Sequence, residues 1–132
     1  HVAQVIEPAL AAGTWVVSDR FSGSTLAYQG YGRGLPVAEL ARLVRWAADD
    51  LAPDLSVLVD VPVDMAQARL GASAPDRLES LGPDFARRVR DGFLAQAAED
   101  PDRWAVVDGD AEPDALAARI LQLVHDRLGE PR

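Results

Sequence analysis

Three short apolar runs, each ending in an aspartate, constrain the fold more than any other feature of this 132-residue sequence. They occupy residues 15–19, 56–60 and 104–108. Their apolar residues follow one another without polar alternation, which is typical of strands that are covered on both faces in a parallel sheet. Segments with helical spacing of apolar residues separate the runs. The order predicts a single α/β domain over residues 1–132, with a parallel sheet and flanking helices.

The helices are predicted from apolar spacing and from the residues that open and close them. They cover residues 2–10, 36–51, 64–70, 83–97 and 113–128. Gly13 follows the first helix where a C-cap belongs, and Pro36, Pro83 and Pro113 open three of the later ones. Residues 22–34 are polar, aromatic and rich in glycine, and this composition predicts a loop with a short helix.

Two of these helices carry further predictions about which side chains are buried. In the 36–51 helix, Leu43 belongs to an apolar stripe that we expect to face the core. The 83–97 helix has an apolar stripe on one side, formed by Phe85, Val89, Phe93 and Ala97. Its arginines, Arg87, Arg88 and Arg90, are predicted to form a solvent-exposed face.

Composition excludes several classes of site. The chain has no cysteine, so disulfides, zinc knuckles and iron–sulfur clusters are ruled out. All 13 of its cationic side chains are arginines, so these residues contain no complete P-loop, which requires a lysine. The net charge of −8 disfavours broad nucleic-acid binding. The sequence has neither a membrane-spanning apolar run nor a visible signal peptide, and we expect a cytoplasmic protein.

The aspartates that end the three runs are candidates for a ligand site. In open parallel sheets, ligands bind beyond the carboxyl ends of the strands. For Asp60 and Asp108, the simpler interpretation is that aspartate begins a loop well. Asp19 is followed by Arg20, and a carboxylate at a strand end can hold Mg²⁺ while a guanidinium binds phosphate oxygens. The alternative for this pair is an ion pair on the surface.

A hydroxyl, a phenol ring and a carboxamide follow this pair within a few residues. Thr25, Tyr28 and Gln29 can read a base edge and pack against a base or a sugar. Together with Asp19-Arg20-Phe21 and the glycine-rich residues 30–34, this segment resembles the signature of the thymidylate kinase family. The flanks also resemble that family in order along the chain, at residues 5–17, 53–61, 76–93 and 107–108.

The resemblance implies a P-loop NTPase-like fold and ATP-dependent phosphorylation of dTMP to dTDP in nucleotide biosynthesis, with Mg²⁺ and usually as a homodimer. By position, Arg20 would contact phosphate, and Asp19 would serve the phosphate and magnesium region. The expected dTMP contacts are Arg20, Ser24, Thr25, Tyr28 and Gln29. The expected ATP contacts are Arg69, Arg77, Asp108 and Gly109.

The sequence departs from the family pattern in two places. The family's first strand and its P-loop have no counterpart here. That strand would lie between the strands at residues 15–19 and 56–60, so we expect the chain alone to be unstable and inactive. The lid, at about residues 70–82, contains no arginine in residues 70–75. The catalytic arginine is therefore Arg69, Arg77 or a residue of the P-loop.

Two alternative functions stay open at the level of sequence. One is a kinase of a different nucleoside monophosphate, since changes at Thr25 and Gln29 would alter the base that is read. The other is a noncatalytic nucleotide-binding or interaction module derived from such a kinase.

Overall fold

Two strands form a parallel sheet in the computed structural model, which describes residues 1–70 and 81–129. Strand β1 covers Ser56–Asp60 and strand β2 covers Trp104–Asp108. They pair residue for residue, from Ser56 beside Trp104 to Asp60 beside Asp108. This confirms the second and third predicted strands and places two of the strand-end aspartates next to each other.

Helices make up most of the regular structure outside the two strands, and every predicted helix is present. The α-helices are α1 (Glu7–Ala11), α2 (Ser22–Thr25), α3 (Val37–Ala47), α4 (Val63–Leu70), α5 (Pro83–Glu99) and α6 (Pro113–Leu128), and two π-helices cover Val2–Ile6 and Leu26–Gly32. Gly13 has a φ of 74°, the left-handed conformation expected of a residue that ends a helix. None of the described helices is both long and apolar enough to span a membrane.

The first predicted strand, residues 15–19, is not a strand in this structure. A strand needs hydrogen bonds from a neighbouring strand, and the sheet formed by the described residues contains only β1 and β2. Val17 accordingly has 94% of its surface exposed. The apolar composition of this segment is right for a buried strand, but nothing in the described chain covers or pairs with it.

Residues 22–32 are helical throughout, which corrects the prediction of a loop with a short helix. Helix α2 runs directly into the π-helix Leu26–Gly32, and the Arg33 N–H donates to the Tyr28 carbonyl at 3.1 Å. The glycines serve close packing and not turns. A Cβ on Gly32 would lie 2.9 Å from Cγ2 of Val89 on α5, so only glycine fits there.

The core lies between this π-helix and α5. Ala27, Phe85 and Val89 are buried together, and the rings of Tyr28 and Phe93 pack against them. This matches the apolar stripe expected for α5.

Helix α3 is less well covered than its pattern indicates. Leu43 is 57% exposed, so its predicted burial is wrong, and Trp46 on the same helix is 79% exposed. In the described chain, Leu43 lines an open apolar groove with Leu40 and Val44 instead of facing a packed core.

Candidate functional site

A cavity of about 370 Å³ opens where the carboxyl end of β1 meets α4, α5 and the helical segment of residues 22–32, called here the site helix. Apolar side chains form much of its wall, including those of Phe85, Val89 and Phe93. Its polar lining includes Arg20, Tyr28, Asp60 and Arg90. A mostly apolar pocket with a few converging polar groups is the usual form of a small-molecule site.

Arg20 brings a positive charge to this cavity. Its guanidinium carbon lies 5.1 Å from the centre of the Tyr28 ring, a cation–π contact. Its backbone has a φ of 68°, a conformation that is unfavourable for any residue other than glycine, and its carbonyl accepts a hydrogen bond from the Ser18 hydroxyl at 2.8 Å. Strained backbone of this kind concentrates at functional sites. The arrangement suits an anionic group bound beside an aromatic ring.

The Tyr28 ring packs against two other aromatic rings. Its ring centre lies 6.2 Å from that of Phe85 and 6.2 Å from that of Phe93, the second pair meeting edge to face. Both partners belong to α5. The aromatic surface next to Arg20 is therefore supported by the core, which fixes its orientation.

Asp60 and Arg90 form a two-point ion pair inside the same cavity. Arg90 Nε donates to Asp60 Oδ1 at 2.7 Å, and Arg90 Nη2 donates to Asp60 Oδ2 at 2.8 Å. These hydrogen bonds lower the pKa of the Asp60 carboxyl and raise the pKa of Arg90. The expectation that Arg90 is part of a solvent-exposed face is therefore wrong.

Arg87 and Arg88 are both exposed, as expected, although Arg88 also bonds to the site helix. Arg88 Nε donates to the carbonyl of Gly32 at 3.1 Å, and Arg87 pairs with the exposed Asp84 on its own helix. Both Arg88 and Arg90 flank the buried Val89 in sequence, but a charge on a helix is ordinarily exposed, so local sequence does not reveal either contact.

A second cluster joins α4 to the loop that follows β2. Arg69 donates from Nη1 to the Gly109 carbonyl at 2.9 Å and from Nη2 to Asp110 Oδ1 at 2.7 Å. Asp108 Oδ1 accepts the Asp110 N–H at 2.9 Å, which tightens the loop. The structure thus brings together Arg69, Asp108 and Gly109, three of the four residues predicted to contact ATP.

Gly109 is the point at which this loop touches β1. Its N–H donates to the Asp60 carbonyl at 2.8 Å. A Cβ at this position would lie 2.9 Å from Cγ1 of Val59 and would also collide with Val61, so the approach requires glycine. The loop after β2 is therefore anchored to both β1 and α4.

The other three predicted dTMP contacts are not among the residues that line the cavity. Ser24, Thr25 and Gln29 lie on the site helix, but Thr25 is exposed and lines the separate apolar groove beside Phe21. Arg20 and Tyr28 are the two of the five predicted residues that line the cavity. Arg77 lies outside the described residues, as does most of the predicted lid.

The described carboxylates bear on how this chain could hold Mg²⁺. Within residues 1–70 and 81–129, no group of three or more His, Cys, Asp or Glu side chains is placed to hold a metal ion. Mg²⁺ needs no such cage, since it is commonly held by one or two carboxylates together with substrate phosphates and water. Asp19, the residue predicted to serve the magnesium region, is exposed and next to Arg20 in sequence, but it is not part of the cavity lining.

Comparison with known proteins assigns the chain to a family. The family model described as Thymidylate kinase matches residues 1–120. The chain belongs to the thymidylate kinase family. The resemblance carried by residues 19–34 is thereby confirmed.

Individual relatives agree with this assignment. A thymidylate kinase of Methylobacillus flagellatus is 45% identical over 127 residues, covering 96% of this chain and 63% of the relative. A thymidylate kinase of Burkholderia vietnamiensis is 53% identical over 125 residues, covering 94% of this chain and 61% of the relative. The chain therefore spans a little over three-fifths of the length of these members of the family.

A solved structure shows the same fold. The crystal structure of thymidylate kinase from Ehrlichia chaffeensis matches with a TM-score of 0.68 and 30% sequence identity. The match covers 95% of this chain and 58% of the other. This confirms the predicted fold class, an α/β domain of the P-loop NTPase type.

Proposed function

We propose that the protein carrying this chain transfers the γ-phosphoryl group of ATP to dTMP, giving dTDP and ADP, with Mg²⁺ as cofactor. Membership of the thymidylate kinase family supports the reaction. The observation that carries the proposal is the Arg20 guanidinium resting on the Tyr28 ring in a cavity at the end of β1. That pairing offers a cation for a phosphate next to an aromatic face for a nucleoside.

On the dTMP side, Arg20 holds the phosphate and Tyr28 packs beside the sugar. The Tyr28 ring is fixed by Phe85 and Phe93, and a rigid ring at this point leaves little room for a 2′-hydroxyl. Thr25 and Gln29 read the thymine edge, with Ser24 as their neighbour on the site helix. These three assignments follow the family resemblance and the shared helix.

On the ATP side, the loop at Asp108 and Gly109 lies near the adenine, and Arg69 holds that loop through its bonds to Gly109 and Asp110. Arg69, Arg77 and a P-loop residue stay as candidates for the arginine that contacts the transferred phosphoryl group. Phosphoryl transfer depends mainly on positioning and charge neutralisation, so fixed arginines supply most of what the protein contributes.

Bound magnesium would neutralise negative charge on the phosphate oxygens. Asp19 is the residue of this chain that we assign to it. We place the lysine-containing phosphate loop outside these 132 residues, because they contain no lysine. The reaction is proposed to take place in the cytoplasm, and the exposed Leu43 and Trp46 on α3 are suited to a homodimer contact.

The proposal is tested with the full-length gene product and a panel of nucleoside monophosphates. ADP formation is measured with dTMP, dUMP, dCMP, dAMP and dGMP as acceptors, with and without Mg²⁺. We expect kcat/KM to be highest for dTMP and activity to require the metal. A higher kcat/KM for another acceptor would identify that nucleotide as the substrate in place of dTMP. A gene product that binds nucleotides without turnover would favour the noncatalytic module.

Sequencing upstream of His1 gives an independent check. A strand followed by a glycine-rich loop ending in Gly-Lys-Ser/Thr is the segment that the proposed enzyme requires. A natural gene without that segment would count against phosphoryl transfer by this protein.

A further inference from the structure

Gln96 is a buried polar side chain for which the proposed reaction has no role. It lies on α5 and is 9% exposed. Its side-chain nitrogen donates to two backbone carbonyls, that of Gly92 in its own helix at 3.0 Å and that of Gly23 in the site helix at 3.1 Å. Because this buried amide donates a hydrogen bond to another helix, it fixes the separation and register of the two helices.

The contact at Gly23 leaves almost no free space. A Cβ on Gly23 would lie 3.0 Å from the Trp104 indole and 3.2 Å from Gln96 Oε1. Trp104 opens β2, so the first turn of the site helix rests on the sheet and on α5 together. Ser24 and Thr25 follow Gly23 directly, so the position of this turn sets where their hydroxyls lie.

The other end of the site helix is held from the same helix. Arg88 Nε donates to the Gly32 carbonyl at 3.1 Å, and Gly32 is packed so closely on Phe85 and Val89 that it accepts no side chain. Helix α5 therefore forms hydrogen bonds with both ends of the segment that carries Tyr28. Between the two anchors, Ala27 has no exposed surface and excludes any larger residue.

We propose that Gln96 is a positioning residue for dTMP recognition, acting through its hydrogen bond to Gly23 on the turn that carries Ser24 and Thr25. Gln96 is not among the residues that line the cavity. Its effect is to keep the site helix in one register on α5, so that the thymine-reading residues and Tyr28 lie at a fixed separation. This inference rests on the proposed function for its substrate, but the contact itself is independent of any activity.

The test uses Gln96→Met in the full-length gene product, which keeps the length of the side chain and removes the donor. The control is Gln122→Met on α6, where the amide is exposed and bonds to Asp126 in its own helix. A single lost hydrogen bond predicts a rise in KM for dTMP of roughly threefold to tenfold in Gln96→Met. We expect KM for ATP to stay within about twofold of its original value, because the loop after β2 is anchored to β1 and α4. We expect Gln122→Met to change neither constant.

A second measurement does not depend on catalysis. Amide hydrogen exchange across residues 22–32 is compared between the original protein, Gln96→Met and Gln122→Met. Faster exchange in this segment is expected for Gln96→Met alone. Gly23→Ala keeps the amide but presses a methyl group against Trp104, and it should give the same rise in KM for dTMP if Gln96→Met does not fold.

The outcomes separate the two proposals. If the unsubstituted protein does not phosphorylate dTMP, the proposed function fails and the exchange experiment still decides whether Gln96 fixes the site helix. If dTMP is phosphorylated but its KM is unchanged in the variants, or rises together with that of ATP, the positioning role is overturned. Unchanged exchange across residues 22–32 would overturn it as well.

Discussion

Arg90 on α5 grips Asp60 at the end of β1 through two parallel hydrogen bonds, at 2.7 Å and 2.8 Å. The pair connects the sheet to the helix that also supports Tyr28 and the site helix. Asp60 in turn accepts the Gly109 N–H with its backbone carbonyl. Asp60 therefore links the cavity wall to the loop after β2. Through this residue, the proposed dTMP side and the proposed ATP side of the site are attached to the same strand.

The Asp60→Asn substitution should lower the free energy of unfolding at neutral pH. In acid, the difference from the original protein should disappear. The pKa of Asp60 is lowered in the folded state, so its stabilisation is present above the unfolded pKa of about 3.9 and disappears as pH falls through the folded value. The Asp60 side chain is 19% exposed and that of Arg90 is 36% exposed, so solvent screening limits the effect to about 1 kcal/mol. Urea unfolding of the full-length gene product at pH 7 and at pH 3 measures the difference.

The matched control for this prediction is Asp84→Asn. Its carboxylate pairs with Arg87 on the same helix, but the Asp84 side chain is 84% exposed, so we expect no measurable change at either pH. A stability loss in Asp60→Asn that is the same at pH 7 and pH 3 would show that the ion pair is not its source.

Arg20→Ala should weaken dTMP binding more than any other single substitution in the cavity. It removes the cation that rests on Tyr28 and is proposed to hold the phosphate. Loss of charge-assisted hydrogen bonds predicts a rise in KM for dTMP of roughly tenfold to a hundredfold. Steady-state kinetics at saturating ATP provides the measurement. Arg42→Ala, an exposed arginine on α3, is the control, and equal effects in the two variants would refute the assignment.

Arg69→Ala should act on ATP rather than on dTMP. The variant releases the loop at Gly109 and Asp110, and the expected rise in KM for ATP is roughly threefold to tenfold for two lost hydrogen bonds at a half-exposed site. KM for both substrates is measured in the full-length gene product. Arg103→Ala, which removes a guanidinium near Asp100 at the opposite end of β2, should leave both constants unchanged. A rise in KM for dTMP alone would refute the assignment of Arg69 to the ATP side of the site.

The 132-residue chain on its own should neither melt cooperatively nor turn over ATP. Its described sheet has two strands, a size that is marginal by itself, and Val17 in the unpaired segment before Asp19 is 94% exposed. Differential scanning calorimetry and an ADP-release assay on the purified chain test this, with the full-length gene product as the comparison. A sharp heat-absorption peak together with kinase activity would contradict it.

Local pattern was enough to determine most of the secondary structure. The apolar runs at residues 56–60 and 104–108 became β1 and β2, and their aspartates lie side by side because parallel strands in register end at the same edge. The signature from Asp19 to Gly34 identified the family, since a run of specific residue types in order is far more informative than composition. Val89 and Phe85 were found by their spacing alone, and they form the core.

Tertiary structure decided the rest, because it depends on which surfaces meet. Residues 15–19 have the composition of a strand but no neighbour to pair with in the described chain. The glycines of residues 22–34 indicated a loop, yet Gly32 is glycine because α5 approaches too closely for a side chain. Arg90 and Gln96 carry no local signal of their role, since a charge or an amide on a helix is ordinarily exposed. Only the packing of α5 against Asp60 and Gly23, residues distant in sequence, turns them into contacts that hold the site together.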